Sequence, residues 1–182
     1  MNIKFLLSLF LFTLTIFPKF SSSNEIPEFK SELLVLRKLD QKIRRDNTYW
    51  EDAKRMDLSN HKKLKQLIKK FGFPTIHKVG VDAHRAAFLI TQHNPHDKSF
   101  FKYYINNMKS KLGTGAVIDK YYAFLVDRKN LLQGKKQIYG TQGKCVNGEW
   151  KTPDTENTLL LPLLRKDIGL PSIKELSDTI CI

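Results

Sequence analysis

The sequence predicts a mainly α fold, a compact array of about five to six helices with one small C-terminal β-hairpin. Apolar residues recur at helical spacing through most of residues 26–132, which is typical of amphipathic helices. The period then changes, and Asn147-Gly148 separates two short segments. This dipeptide is a strong hairpin signal because both turn positions accept positive φ. With 182 residues, 41% of them hydrophobic, the chain is long enough for one domain with a hydrophobic core.

The first 23 residues have the pattern of a secretory signal peptide. Lys4 precedes an apolar run from Phe5 to Phe17, which is too short to span a bilayer comfortably. Ser21-Ser22-Ser23 then supplies the small residues that cleavage requires. We therefore expect residues 1–23 to be a signal peptide and residues 24–182 to be a single exported helical domain, periplasmic or secreted. An uncleaved anchor is the alternative.

The exported chain is strongly basic. Removal of residues 1–23 takes away Lys4 and Lys19, so the formal net charge of +13 falls by two. A surface of this charge attracts anions, and we expect a polar or anionic ligand or an envelope component as the partner. Nucleic acid fits the charge but not an exported compartment, so no nucleic-acid partner is expected. A role of the charge in solubility alone is the alternative.

Two helices are predicted in the N-terminal part of the domain. Residues 26–46 place leucines and an isoleucine at near-helical spacing among charged residues. Residues 60–71 form the second helix, with Ser59 or Asn60 as its N-cap and Gly72 just past its end. The lysines of this second helix offer a basic face to phosphate, but such a face is more often the solvated side of an amphipathic helix.

Three further helices are predicted between residues 81 and 132. The third covers residues 81–93 and ends two residues before a proline. Asp97 caps the fourth helix, which a glycine ends. Thr114 caps the fifth, over residues 116–132, and the helical period is lost soon afterwards.

The C-terminal part combines the hairpin with a short last helix. We expect its strands at residues 137–146 and 149–152. Pro162 limits any helix in the apolar run that surrounds it. The segment from Ser172 to Glu175 resembles a capping box, which predicts a final short helix ending near Cys181.

Cys145 and Cys181 are the two cysteines of the chain, and an even count favours pairing in an oxidising compartment. The bridge would tie the last helix to the hairpin. In the chain-entropy model it would contribute about 3–4 kcal/mol to stability. Two free thiols are the alternative.

Three polar clusters interrupt these patterns. Gln92-His93 ends the third helix, Asp127-Arg128 lies within the fifth, and Gln137 with Tyr139-Gly140-Thr141-Gln142 follows it. If the stretch between them folds compactly, all three clusters meet. The position of His93 at a helix C-terminus favours a charged imidazole, because the exposed carbonyl groups carry partial negative charge.

The order of these clusters resembles an uncharacterised bacterial domain family of unknown function. Shorter motifs add to the resemblance, namely Gly134, Gly72-x-Pro74-Thr75 and Gly169-Leu170-Pro171. The similarity runs from about residue 30 to residue 178. It carries no activity, but it implies that the polar positions of the clusters are the ones to consider as site residues.

We expect the domain to bind a polar or anionic ligand or partner through this His/Asp/Arg/Gln cluster. The expected ligand-binding residues are Gln92, Gln137, Tyr139, Thr141 and Gln142, with His93, Asp127 and Arg128 beside them.

The first alternative is a periplasmic or secreted hydrolase. Its catalytic residues would be His93 as general base, Asp127 to orient His93, and Arg128 to hold developing negative charge. The second alternative is a structural envelope protein without a ligand site, since these polar groups can satisfy one another.

Neither a metal nor a cofactor is expected. His93, His96 and Asp97 form an H-x-x-H-D pattern, but Pro95 interrupts the helical geometry that would bring both imidazoles together. The sequence contains no HExxH motif, zinc-type cysteine spacing, P-loop, Rossmann glycine run or G-x-S-x-G elbow.

Overall fold

The computed structural model describes residues 25–46 and 50–181, so the predicted signal peptide lies outside the described residues. Within this part the chain forms eight helices and one two-stranded antiparallel sheet. The elements are α1 (Glu25–Arg45), α2 (Trp50–Phe71), α3 (Ile76–Val79), α4 (Val81–His93), α5 (Lys98–Lys109), α6 (Asp119–Leu132), β1 (Lys144–Val146), β2 (Glu149–Lys151), α7 (Leu161–Asp167) and α8 (Ile173–Ile180). The mainly α prediction with a small C-terminal hairpin is confirmed. The predicted number of five to six helices is wrong.

The two helices that the sequence did not predict are short. α3 is a single turn of four residues between Thr75 and Gly80, too short to show a hydrophobic period. α7 carries Pro162 in its first turn. A proline there sacrifices no hydrogen bond, because the first N–H groups of a helix have no intrahelical partner. Pro162 therefore lies at the start of the helix that it was expected to limit.

Two predicted helix starts are corrected. α2 begins at Trp50 rather than at residue 60, because residues 50–59 contain no glycine or proline that would end the helical path. Ser59 and Asn60 thus lie inside α2 and do not cap it. α6 begins at Asp119, since the preceding residues form turns around two positive-φ glycines and Thr114 belongs to those turns.

α4 is the central helix and packs against α1, α2, α3, α5 and α6. Ala83, Ala86 and Ala87 are fully buried, and their small side chains let neighbouring helices approach closely. Phe88 and Ile90 continue the buried surface toward the end of α4. α4 therefore contacts neighbouring helices on more than one side.

The C-terminal part follows the predicted turn and cap chemistry. Asn147 and Gly148 both have positive φ, and the capping box of Ser172 and Glu175 is present. The predicted disulfide is confirmed, with an S–S distance of 2.10 Å between Cys145 and Cys181. No helix in the described part of the chain has the length and hydropathy needed to cross a bilayer.

Candidate functional site

Residues 137–142, here called the motif loop, form a tight loop where a strand was predicted. Asp127 of α6 is fully buried and accepts four hydrogen bonds from this loop. Its donors are the backbone N–H groups of Ile138 at 2.7 Å, Tyr139 at 3.1 Å and Thr141 at 2.9 Å, and the Thr141 hydroxyl at 2.9 Å. The carboxylate of Asp127 therefore stabilises the conformation of the motif loop.

Arg165 of α7 binds the other side of the motif loop. Its side chain is charged, yet the residue is only 1% exposed. Its Nη1 donates to the carbonyls of Tyr139 at 2.6 Å and Gly140 at 3.2 Å, and its Nε donates to the Pro171 carbonyl at 2.7 Å. Burial lowers the pKa of Arg165, while the nearby charge of Asp127 acts in the opposite direction. Two opposite charges thus clamp the N–H and C=O groups of one loop.

Gln137 closes the motif loop from within and is fully buried. Its Oε1 accepts from the Gln142 N–H at 2.8 Å, and its Nε2 donates to the Gln142 carbonyl at 2.9 Å. The same Nε2 lies 2.7 Å from the Thr152 hydroxyl just after β2. Gly140 supplies the positive φ that the loop needs. The side chain of Gln137 therefore joins the loop to the hairpin.

His93 lies in a different polar group. Its Nδ1 is 2.8 Å from Oδ1 of Asp40 on α1, and Asp40 is 1% exposed. The carboxylate that contacts His93 is therefore Asp40 and not Asp127, because α1 packs along α4 while Asp127 faces the motif loop. Burial raises the pKa of Asp40. The hydrogen bond and charge of His93, together with Gln41 and Arg44, lower it by a larger amount, so the net pKa falls below its usual value.

Three potential metal ligands meet at this junction. Single atoms of Asp40, Asp57 and His93 lie within 4.8 Å of one another. However, Arg44 lies 3.3 Å from Asp40 Oδ1 and donates to both oxygens of Asp57 at 2.9 and 3.2 Å. The guanidinium already supplies the positive charge between the two carboxylates, so we assign these residues to an ion network.

Arg128 shares neither group. It forms no ion pair or hydrogen bond with the described residues, its Nε is buried without a partner, and burial lowers its pKa. By helical spacing it lies one turn beyond Phe124, on the side of α6 that also carries Tyr121. Arg128 thus has no charged partner among the described residues.

A cleft of about 460 Å³ lies between α4, α6 and the C-terminal segment. Its lining residues are Arg85, Phe88, Leu89, Gln92, Lys120, Tyr121, Phe124, Thr141, Trp150, Arg165, Leu170, Pro171, Leu176 and Ile180. Two of the predicted site residues, Gln92 and Thr141, meet here. Six predicted residues do not line the cleft, namely His93, Asp127, Arg128, Gln137, Tyr139 and Gln142.

The lining of the cleft is positive and contains no carboxylate. Arg85 and Lys120 are exposed at its rim and form no ion pair or hydrogen bond with the described residues. Arg165 contributes a buried charge, and its Nη2 makes no hydrogen bond in the described part of the chain. Trp150 adds an indole N–H that is buried without an acceptor. The cleft is therefore lined by three cations, and two of them, Arg85 and Lys120, have no partner among the described residues.

Aromatic side chains form the apolar surface of the cleft. The rings of Phe88 and Tyr121 are parallel, with centroids 4.0 Å apart, and Phe124 approaches Phe88 edge-on at 6.2 Å. Burial also raises the pKa of Tyr121, which keeps its hydroxyl protonated. The cleft thus combines neutral aromatic surface with positive charge.

A second groove, of about 590 Å³, lies between α5 and the end of α6. It contains Lys98, Lys102 and Lys129, none of which is buried. The cleft differs from this groove in having a fully enclosed cation, Arg165, held in one orientation by three carbonyl groups. We therefore regard the cleft as the stronger candidate for a built site.

Sequence reasoning missed Asp40, Arg165 and Trp150. Asp40 stands four residues before Arg44, a spacing that signals a pair on one helix face. Arg165 follows an apolar run directly, where a lone charge requires buried acceptors. Trp150 carried no signal beyond its place after the Asn-Gly turn.

A family model described as "Family of unknown function (DUF6624)" matches residues 27–180. This match confirms the resemblance to an uncharacterised family that the polar clusters indicated. No curated protein and no solved structure matches the chain. The matched region includes the motif loop, the Asp40–His93 pair and every lining residue of the cleft.

Proposed function

The chain belongs to this family of unknown function, and we propose that it is an exported binding domain whose cleft takes an anion with an apolar body. The observation that carries the proposal is the charge of the lining: Arg85, Lys120 and Arg165 are positive, and no carboxylate is among the lining residues. The positive potential of such a site attracts anions, and a concave, partly apolar pocket of this kind is typical of ligand sites.

The buried cation supports a specific anion contact. Arg165 is held rigidly by three carbonyl groups, so its orientation is preorganised before a ligand arrives. Its Nη2, which makes no hydrogen bond in the described part of the chain, is free to donate to a carboxylate, sulfonate or phosphate oxygen. Gln92 adds an uncharged amide donor at the same cleft.

The aromatic lining supports an apolar portion of the ligand. Phe88, Tyr121 and Phe124 present ring surface, and Leu176 extends it from α8. Burial of apolar ligand area against these side chains contributes about 25 cal/mol per Å². An inorganic anion alone would leave this surface wet.

Export is supported by two observations. The Cys145–Cys181 disulfide is of a kind that persists in oxidising compartments. The apolar run of residues 5–17 has the length of a signal-peptide core. Together they favour a periplasmic or secreted location.

Binding is tested with 8-anilinonaphthalene-1-sulfonate, an aromatic anion whose fluorescence rises in apolar sites. In a Trp50→Phe protein, Trp150 is the remaining tryptophan and its energy transfer reports occupancy of the cleft. We expect saturable binding of one probe molecule per chain. Lys120→Gln should raise the Kd about fivefold to tenfold, since a contact to a charged group contributes about 1–1.5 kcal/mol.

Lys109→Gln is the matched control, because Lys109 is also an exposed helical lysine and does not line the cleft. It should leave the Kd unchanged within about twofold. The uncharged analogue N-phenyl-1-naphthylamine should bind both variants equally. Absence of saturable transfer from Trp150, or equal Kd values in the two lysine variants, would contradict an anion site and favour the structural alternative.

The Asp40–His93 pair favours a second candidate function, hydrolysis. Asp40 holds Nδ1 of His93 at 2.8 Å, and Nε2 makes no hydrogen bond with the described residues. In this arrangement Nε2 would accept a proton from a water molecule as its oxygen attacks a carbonyl carbon. This candidate ranks second because His93 does not line the cleft.

Hydrolysis of p-nitrophenyl acetate tests this second candidate. His93→Gln should lower the protein-dependent rate about 100-fold, the usual contribution of a positioned base. His77→Gln is the control, because His77 is exposed on α3. Equal rates in the two variants would exclude His93 as the base.

A further inference from the structure

One wall of the cleft is formed by a helix with little packing of its own. α8 is eight residues long and none of them is buried, yet its Leu176 and Ile180 line the cleft. An isolated helix of this length is not stable in water. The position of this wall therefore depends on how α8 is attached to the rest of the domain.

Three attachments hold α8 in place. At its start, the Pro171 carbonyl accepts a hydrogen bond from Arg165 Nε at 2.7 Å. In its middle, the Ser177 hydroxyl oxygen accepts from the backbone N–H of Trp150 at 2.8 Å. At its end, Cys181 is joined covalently to Cys145 of β1. The far end of the wall, next to Ile180, is thus held by the disulfide.

The disulfide also joins two parts of the same wall. Cys145 pairs with Trp150 across the hairpin, so the bridge ties the strand that carries Trp150 to the helix that carries Leu176 and Ile180. β1 and β2 have no buried residue, so the hairpin adds little packing of its own. Cys145 is exposed, which makes the bridge accessible to a reductant.

We propose that the Cys145–Cys181 disulfide controls binding at the cleft: the oxidised chain holds the α8 wall in place and binds an amphipathic anion, and the reduced chain releases the wall and binds weakly. This inference rests on the proposed function. A dithiol supplies two electrons and two protons, the S–S bond breaks into two thiols, and the dithiol becomes a disulfide.

Redox control of binding has a direct consequence for an exported chain. Disulfides do not persist in a reducing cytosol, so the chain is binding-competent only after it reaches an oxidising compartment. The three remaining sides of the cleft, from α4, α6 and Arg165, stay in place in both forms because they belong to the hydrophobic core or the clamped motif loop.

The test compares oxidised and dithiothreitol-reduced Trp50→Phe protein. The Kd of 8-anilinonaphthalene-1-sulfonate, measured by energy transfer from Trp150, should rise at least about tenfold on reduction, because a released wall must be ordered again at each binding event. Hydrogen exchange should show loss of protection in α8 while α4 stays protected. Reoxidation should restore both values.

Cys145→Ser/Cys181→Ser is the control variant. It should behave like the reduced protein, and dithiothreitol should have no further effect on it. Binding is counted only if Lys120→Gln weakens it. This criterion distinguishes probe bound in the cleft from probe bound to apolar surface that loosening exposes. An unchanged Kd, or equal protection of α8 in both redox forms, would overturn the inference. Absence of binding in the oxidised form would instead overturn the proposed function, and hydrogen exchange would still show whether the wall opens.

Discussion

The motif loop and the cleft lie side by side, with Thr141 belonging to both and Arg165 contacting the loop and lining the cleft, yet they use polar groups in opposite ways. In the loop, Asp127 accepts four hydrogen bonds and Gln137 satisfies both of its amide atoms. In the cleft, Arg85 and Lys120 form no ion pair or hydrogen bond with the described residues. Satisfied groups stabilise a fold, whereas free donors are suited to a ligand.

This difference separates the residues that make the sequence recognisable from those that face a ligand. The polar motifs mostly build the loop, while Arg85, Lys120 and Trp150 of the cleft lie outside the motifs. Arg165 joins the two regions, because its Nη1 holds the loop, its Nε holds the Pro171 carbonyl and its Nη2 makes no hydrogen bond in the described part of the chain. The loop therefore orients the buried charge of the cleft.

The largest expected effect comes from the loop. Asp127→Ala removes the acceptor of three backbone N–H groups and one hydroxyl, and takes away the negative charge near the buried Arg165, so we expect a loss of about 3–5 kcal/mol in unfolding free energy. Urea unfolding measures it. Asp154→Ala is the control, since that side chain is 87% exposed and should change stability by less than about 0.5 kcal/mol. Similar losses in both variants would remove the contrast between the two regions.

A smaller effect is expected where a buried carboxylate is satisfied by side chains instead of backbone. The pKa of Asp40 in the folded chain lies below its ordinary value of 3.8, so its stabilisation is present above about pH 4 and is lost as the pH falls through the folded pKa. Asp40→Asn should cost about 1–3 kcal/mol at pH 7 and flatten the decline in stability below pH 4.

Urea midpoints measured between pH 7 and pH 2 test this expectation. Asp82→Asn serves as the comparison, because its ion pair with Arg37 is largely exposed and should contribute less than about 0.5 kcal/mol. If Asp40→Asn kept the acid slope of the unmutated chain, the junction with His93 would not be the source of that slope.

The smallest stability effect is expected at the cleft. Arg85→Gln combined with Lys120→Gln should change unfolding free energy by less than about 0.5 kcal/mol, because neither side chain has a partner to lose in the described structure. The same double variant should bind 8-anilinonaphthalene-1-sulfonate more weakly than Lys120→Gln alone. A large loss of stability would instead place these cations in the fold's own network.

Local patterns predicted much of the fold. The spacing of apolar residues indicated α1, α4 and α5, the Asn147-Gly148 pair indicated the hairpin, and the two cysteines indicated the bridge. The early start of α2 was missed because its first turns carry charge rather than a continuous apolar stripe. The site was predicted less well, since only Gln92 and Thr141 of the proposed residues reach the cleft.

The sequence by itself determined the helical character, the turn, the cap at Asp97 and the pairing of the cysteines, because periodicity, turn chemistry and cysteine number act locally or by count. Only the tertiary structure decided that His93 contacts Asp40, 53 positions away, and that Arg165 clamps a loop 26 positions before it. Those contacts follow from which helix faces pack together, and packing joins residues that sequence spacing does not relate.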